Sequence, residues 1–463
     1  MLRFLIPLIS VFVQVLLTST SHAAESDESS RVNGIWRTAG YGYIFQVNAP
    51  DVSVYEVTAI SCLESGLEAD LFESDPGQDV LGRFRVRIDG FIDAYMEMHG
   101  TGNPDEMEFH RRDTTSIMKA NRLEQLPKLC SSPSENSNEY NLQVFLHNFS
   151  EHYPFFGIKG TDWMKFSQAV LPRKNMTERE FFDFLVSLVE PLYDTHVVLL
   201  PTSLSESFWG EGQLSSKDAY DRIDRIYANI EENYLITPLT KFCQDRLGFS
   251  SLPGNIGYLR VSGFTGCSES ARFRDDEHGL NQAFDEIFSN SNLEALVIDT
   301  RDNGGGSGKH VIQLAQRLAS SGYIAFSKQA YINYSGNHAW TEPETVFVVP
   351  NNQAGFKGNI ALLTSYESIS AAETFAMALM KRSPKVVRVG QRTRGVFSNI
   401  LPRVLPNGWL FGLPNERYLD TTGKSYDEVG IPPDIEINNT DLDIEERRDV
   451  VLDAALVQLN NLK

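Results

Sequence analysis

The chain is predicted to fold as an α/β core preceded by a helical region and a β-rich N-terminal domain, and three patterns carry that expectation. Leu293-Glu-Ala-Leu-Val-Ile-Asp299 and Asn359-Ile-Ala-Leu-Leu-Thr364 are near-continuous apolar runs, the kind a parallel sheet buries on both faces, and helical segments separate them. Between Asn33 and Cys130 apolar residues instead recur at every second position, as in Gly42-Tyr-Ile-Phe-Gln-Val47, Val52-Ser-Val-Tyr-Glu-Val57 and Phe84-Arg-Val-Arg-Ile88. From Glu139 to Ser205 the spacing becomes mainly helical. With 463 residues, 41% of them hydrophobic, the chain can bury a large core and lacks the composition of a disordered one.

Taken in order, Met1-Leu2-Arg3 sets one positive charge before an apolar run, Phe4 to Leu17, broken only by Ser10 and Gln14. Small residues at Ser21 and Ala23 suit cleavage after Ala23, so residues 1–23 are expected to be an export signal. The run is shorter than the roughly 20 apolar residues that span a bilayer. An exported chain, periplasmic or extracellular, fits the even number of cysteines, Cys62, Cys130, Cys243 and Cys267, which predicts two disulfides. Four cysteines allow three connectivities; Cys62–Cys130 and Cys243–Cys267 are favoured because each pair lies within one sequence region. Their spacing does not match a zinc site, and no metal is expected. The sequons at Asn148, Asn175, Asn333 and Asn438 matter only in a host that glycosylates.

Residues 24–130 are expected to form a small antiparallel barrel or sandwich, and 131–138 (SSPSENSN) a polar linker. In the helical region, 139–205, Thr177-Glu-Arg-Glu180 has the capping-box form, and Phe181, Phe184, Leu185, Leu188, Val189 and Leu192 follow as one apolar stripe. That helix should end near Tyr193-Asp-Thr-His196, where the run Val197–Leu200 begins. Residues 206–463 alternate helix and strand: helices near Lys217–Tyr234, Gly279–Phe288 and Lys309–Ser320 and from Ala371, and strands at Asn255–Val261, Leu293–Asp299 and Asn359–Thr364. There is no internal repeat. The net charge of −20, from 41 basic and 61 acidic residues, repels phosphate backbones and anionic lipids and argues against a nucleic-acid partner.

Three stretches could carry chemistry. Asp299-Thr-Arg-Asp-Asn-Gly-Gly-Gly-Ser307 follows a buried strand and precedes a helix, where successive glycines let backbone N–H groups converge on an anion. It fails as a phosphate loop, because Asn303 stands where the first Gly of G-x-x-x-x-G-K-[ST] belongs and His310 follows Lys309. A plain tight turn and an oxyanion hole both remain open. Ser370-Ala-Ala-Glu373 also opens a helix, either as a capping box or as a nucleophile whose alkoxide the helix N-terminus favours. His196, flanked by Asp194 and Thr195 at a helix-to-strand break, is either a satisfied structural histidine or a general base.

Together these stretches resemble the tail-specific, or C-terminal-processing, serine peptidase family. Asp299-x-Arg301-x-Asn303-x-Gly305-Gly306 looks like its D-x-R-x-N-x-G-G segment. Thr364-Ser-Tyr-Glu-Ser-Ile-Ser-Ala-Ala-Glu373-Thr-Phe-Ala376 looks like its nucleophile segment. Val389-Gly-Gln-Arg-Thr393-Arg-Gly395 and Gly430-Ile-Pro-Pro-Asp-Ile435 match its later V-G-x-x-T-x-G and G-I-x-P-D-I segments. The resemblance covers about Glu139 to Ile437 and implies a crotonase- and Clp-like core with a mixed sheet. Members that use a Ser–Lys dyad carry Lys directly after T-x-G, and here that residue is Val396. Leu192-Tyr-Asp194-Thr-His196 instead resembles the L-x-D-x-H segment of the branch typified by the tricorn core protease. That branch has a carboxylate just before G-[IV]-x-P-D, where Asp427 and Glu428 stand side by side. Only 58 residues separate His196 from Asn255, too few for the PDZ module usual in processing peptidases once a helix is placed among them.

The expectation is therefore an exported serine peptidase acting on peptides or proteins through an acyl-enzyme, with no cofactor. Ser370 would be the nucleophile and His196 the base, with Asp427 or Glu428 assisting through Thr195. The N–H groups of Gly305 or Gly306 and of Ala371 would hold the oxyanion. The rival expectation is an inactive protein on the same scaffold that binds a hydrophobic ligand or peptide.

Overall fold

Alternation at every second residue in the N-terminal third becomes one antiparallel sheet in the computed structural model, which describes residues 31–462 apart from 66–70, 73–79, 89–91, 132–133, 173–174, 211–216, 271, 290–291 and 335–336. The expected export signal lies outside the described residues. The strands are β1 (Gly34–Thr38), β2 (Tyr43–Asn48), β3 (Asp51–Val57), β4 (Cys62–Glu64), β5 (Leu71–Phe72), β6 (Val80–Ile88), β7 (Ile92–Gly100), β8 (Glu106–Arg111) and β9 (Ile117–Leu123). They pair in the order β4-β3-β2-β1-β9-β8-β7-β6-β5. The sheet curls around Trp36, Phe45, Phe84, Met98 and Phe109, whose alternate positions place them on the shared inner face. The Cys62–Cys130 disulfide ties β4 to the turn that follows β9.

Three helices come next: α1 (Asn138–His152), α2 (Trp163–Ala169) and α3 (Glu178–Val189). Both halves of the Thr177/Glu180 capping box start α3, and Phe181, Leu185, Leu188 and Val189 are buried along it. A 3-10 turn at Glu190–Leu192, with Pro191 at its start, ends the helical run; Tyr193 then turns into left-handed backbone, φ +48°. β10 (Val198–Leu200) and β11 (Phe208–Trp209) complete this region.

The remaining elements are α4 (Lys217–Asn233), β12 (Thr240–Phe242), β13 (Leu247–Leu252), β14 (Ile256–Val261), α5 (Phe273–Phe288), β15 (Ala295–Asp299), α6 (Gly308–Leu318), β16 (Tyr323–Tyr334), β17 (Asn337–Trp340), β18 (Glu344–Val348), β19 (Asn359–Thr364), α7 (Ala371–Ala378), β20 (Val387–Gly390), β21 (Ile400–Val404), β22 (Leu410–Pro414), β23 (Glu416–Leu419), β24 (Ile435–Glu436), α8 (Asp441–Glu445) and α9 (Val450–Asn461). A seven-stranded mixed sheet, β12-β13-β14-β15-β19-β20-β24, forms the centre, antiparallel as far as β14 and parallel from there. Its middle strands are apolar throughout because both faces are covered. Leu296, Ile298, Ile360 and Leu362 pack with residues of α5, α6 and α7, while Val297, Ala361 and Leu363 pack with residues of α4 and α9. The second disulfide, Cys243–Cys267, links the β12–β13 turn to the loop before α5. Among the described residues no helix is long and apolar enough to cross a membrane.

The three regions share their interiors. β10, from the helical region, pairs with β22, and α1 and α3 bury their apolar faces with Trp409, Phe411 and Leu413. Arg403 on β21 joins all three. Its guanidinium donates to Asn148 Oδ1 on α1 (2.8 Å), to the Pro402 carbonyl (2.9 Å) and to the Tyr41 carbonyl of the N-terminal sheet, and it lies 4.7 Å over the Tyr43 ring. Beside it Glu56 accepts from Val404 N–H at 2.7 Å; burial pushes that carboxyl up to about 7 against the pull of Arg403. A second junction groups Tyr41, Ser116 and Lys328 around Glu416, whose carboxyl stays below its usual range despite burial because Lys328 lies against it. Truncating a buried cation that donates three hydrogen bonds strands their acceptors, so Arg403→Ala should destabilise the protein by at least about 3 kcal/mol. Urea unfolding followed by circular dichroism measures this; an unchanged midpoint would contradict the junction.

Candidate active site

Ser370 lies between the buried strand β19 and helix α7, where the chain makes an abrupt turn. Its backbone sits at φ +57°, ψ −113°, strained for any residue with a Cβ and of the kind that lifts a side chain out of a strand-to-helix turn. The capping reading fails for the hydroxyl, which supplies no cap hydrogen bond; the N–H of Glu373 goes to the Ser370 carbonyl at 2.9 Å instead. The Ser370 side chain and the Glu373 N–H stand in the box arrangement, but the hydrogen bond that forms across it is the carboxylate one, with Glu373 Oε2 accepting from Ser370 N–H at 3.1 Å.

Glu373 does far more than cap. Fully buried, it accepts from Val396 N–H (2.7 Å) on Oε2 and from Gly395 N–H (2.6 Å) and the Thr393 hydroxyl (2.6 Å) on Oε1. Thr393 Oγ1 in turn accepts from Ile431 N–H at 2.8 Å. One carboxylate thus gathers the nucleophile turn and the T-x-G turn, and through Thr393 the G-I-P-P-D segment. Gly430 makes the last approach close enough, since a Cβ there would stand 1.9 Å from the Thr393 carbonyl oxygen. Burial pushes the Glu373 carboxyl up to about 7, while the four donors pull it down. All four neighbours are donors, so the ionised form is the one the geometry fits.

The glycine turn meets Ser370 from the other side. Asp299 and Arg301 are consumed structurally: Arg301 forks onto Asp299 (2.6 Å) and onto Asp449 (2.9 Å), the N-cap of α9, deep in the core. Asn303 shapes the turn, donating to the Val261 carbonyl (2.9 Å), accepting from Gly305 N–H (2.9 Å) and offering its carbonyl to Ile369 N–H (3.0 Å). At Gly305, φ +107°, an added Cβ would stand 2.8 Å from Ser370 Cβ and 3.2 Å from Ser370 Oγ, so only glycine fits. The Gly305 N–H is engaged by Asn303. Among the described residues the N–H groups of Gly306 and Ala371 have no partner.

His196 is buried just before β10. Its backbone N–H donates to Asp194 Oδ1 (3.0 Å), and Asp194 Oδ2 accepts from Tyr153 OH (2.8 Å). Burial pushes the imidazole below its usual range, against the pull of the Asp194 charge and the Ser398 backbone. Its Nδ1 and the neighbouring Thr195 Oγ1 are buried without a hydrogen-bond partner. Among the described residues, Ser370 Oγ and the His196 ring form no hydrogen bond with each other, nor does either Asp427 or Glu428 bond to the ring. The two carboxylates differ. Glu428, φ +68°, is paired with Lys159 at 2.7 Å. Asp427 is fully buried, accepts from the Ser425 hydroxyl (2.6 Å) and makes no ion pair among the described residues; burial pushes it up to about 8, and Glu373, Glu428 and Asp194 add to the rise. Thr195, Val396 and Glu428 line one cavity of about 310 Å³ together with Lys159, Tyr366 and Arg392. Of the other cations near the nucleophile segment, Lys385 pairs with Asp434 and Arg394 with Glu367. Sequence reasoning missed Glu373 as a hub, because a capping box already explained it, and missed Lys159, which lies in a loop with no motif.

A carboxyl whose folded value is raised costs stability as pH climbs from its unfolded value, about 4, to its folded value. For Asp427 that window runs to about pH 8. Asp427→Asn should therefore flatten the fall in stability between pH 5.5 and 8, by up to about 1 kcal/mol per pH unit. Melting temperatures across that range test it; parallel profiles for the two proteins would contradict it.

Residues 255–437, from β14 to just beyond β24, match the model of peptidase family S41. The C-terminal processing peptidase of the chloroplast of Tetradesmus obliquus is 26% identical over 213 residues, 44% of this chain and 40% of that protein, so the chain spans about two fifths of that relative's length. A chain from Parabacteroides merdae ATCC 43184 assigned as a peptidase superposes with a TM-score of 0.57 at 25% identity, covering 70% of this chain and 97% of its own. Mature CPAF shares the fold, with a TM-score of 0.53 at 14% identity over 70% of this chain and 98% of its own. The core that holds Ser370, Glu373 and the glycine turn thus matches peptidase family S41 and is similar to a C-terminal processing peptidase.

Proposed function

We propose that the protein is an exported serine peptidase that cleaves peptide bonds through an acyl-enzyme. The observation that carries this reading is the Ser370 hydroxyl, uncapped on a strained strand-to-helix turn, between a glycine turn at van der Waals contact and the unpartnered N–H of Ala371. In this reading Ser370 Oγ attacks the scissile carbonyl and its proton passes to the neutral His196 ring. The N–H groups of Gly306 and Ala371 hold the oxyanion, and His196 then protonates the leaving amine. Asp427, acting through the Thr195 hydroxyl, is the better acidic partner: buried without a cation, it gains most from an imidazolium beside it, whereas Glu428 is already spent on Lys159. Val396 at the lysine position supports the histidine-containing branch. Two disulfides support the export assigned to residues 1–23, and the curled N-terminal sheet would serve as a domain over residues 24–130, set off by the 131–138 linker.

Treating the purified protein with a fluorophosphonate probe should label Ser370, as mapped by mass spectrometry, and His196→Ala should reduce the labelling rate at least about 100-fold. Labelling that survives unchanged in His196→Ala would remove this base. No labelling of the folded protein would favour the inactive binding protein. Because burial lowers the His196 value, the ring stays neutral at pH 7 and protonates only on acidification. Labelling and peptide cleavage should therefore hold through neutral pH and fall away below about pH 6.5. Loss beginning above pH 7 would contradict the assignment.

A further inference from the structure

The cavity beside Thr195 and Val396 differs in charge from the molecule around it. In a chain of net charge −20, three cations converge on it: Lys159, Arg392 and Arg394. Lys159 is neutralised by Glu428 and Arg394 by Glu367. Arg392 has no carboxylate partner among the described residues. Its guanidinium rests 5.0 Å over the Tyr366 ring and reaches only the backbone carbonyls of Thr393 (3.4 Å) and Val429 (3.2 Å). Stacking fixes the plane of a fork that remains free to accept a carboxylate edge-on. The cavity is next to the chemistry, because Val396 N–H, in its wall, and Ser370 N–H share one oxygen of Glu373. Tyr366 and Arg392 also line a second cavity of about 360 Å³ at the C-terminal ends of β19, β20 and β24, so Arg392 borders both.

We propose that Arg392 receives the side-chain carboxylate of a Glu or Asp residue within a bound peptide, whose chain continues past Arg392 into the second cavity. This rests on the peptidase reading for its substrate, though not for its charge preference. An internal acidic residue, rather than a terminal carboxylate, is the occupant that suits a cation bordered by a cavity on either side.

The test uses fluorescein-labelled peptides on an alanine–serine host, each made with an amidated and with a free C-terminus, with Glu, Gln or Lys placed at each position in turn. Binding to the full-length Ser370→Ala protein is read by fluorescence anisotropy, and cleavage by the unsubstituted protein by mass spectrometry. At one position Glu should bind at least about tenfold more tightly than Gln. Arg392→Glu should reverse the preference towards Lys, a gain that misfolding cannot produce. Equal affinity for Glu and Gln at every position would overturn the inference, as would a preference that appears only with a free C-terminus. A binding preference with no cleavage of any peptide would uphold the Arg392 assignment and count against the peptidase reading. Cleavage without a binding preference would do the reverse.

Discussion

A single buried carboxylate, with no ion pair among the described residues, organises this site. An ionised group in the interior is tolerable only when its lone pairs are filled by well-placed donors, and Glu373 achieves this with three backbone N–H groups and one hydroxyl. Those donors come from segments that are distant in sequence, so satisfying one charge brings the nucleophile turn, the T-x-G turn and the segment after Gly430 into one place. The cost of leaving any donor or the carboxylate unmatched is what holds the Ser370 backbone in a conformation it would not adopt alone. The glycine turn completes the arrangement from the opposite side, where Asn303 both folds the turn and anchors the residue before Ser370.

The proposed base comes from a different part of the chain. His196 lies on the edge of the helical region, just before β10, which pairs with β22 rather than with the central sheet. Ser370, the proposed nucleophile, is thus fixed by local polar geometry and His196, the proposed base, by packing between regions. The unpartnered Nδ1 of His196 and hydroxyl of Thr195, both buried, mark the seam between those two systems. Polar atoms of that kind gain most from a small movement that closes the cleft on a substrate.

Much of the fold was legible because it follows from periodicity. The run Asn359–Thr364 is strand β19 to the residue, and the Thr177 capping box opens α3 as read. Both disulfide pairings are present. The helix read from Gly279 begins earlier, at Phe273, because the Asp276 carboxylate in its first turn is anchored to Gly266 and Ser268 N–H, a tertiary contact that no periodicity reports. At the candidate site, sequence spacing singled out Ser370, the glycine turn and the adjacent acids. It could not separate Gly305, whose N–H belongs to Asn303, from Gly306, nor Asp427 from Glu428, because those distinctions depend on partners such as Lys159 that no local pattern connects to the site. The shared interiors of the three regions were likewise invisible, since they rest on side chains such as Arg403 that look like surface residues in sequence.

The most direct measurement is a crystal structure of the phosphonylated protein, in which the phosphonyl oxygen stands in for the oxyanion of the tetrahedral intermediate. The account predicts that oxygen within hydrogen-bond distance of the N–H groups of Gly306 and Ala371, with the His196 ring turned to the Ser370 oxygen and Thr195 bridging to Asp427. A phosphonyl oxygen pointing away from both N–H groups, or a His196 ring still buried beside Ser398, would contradict it.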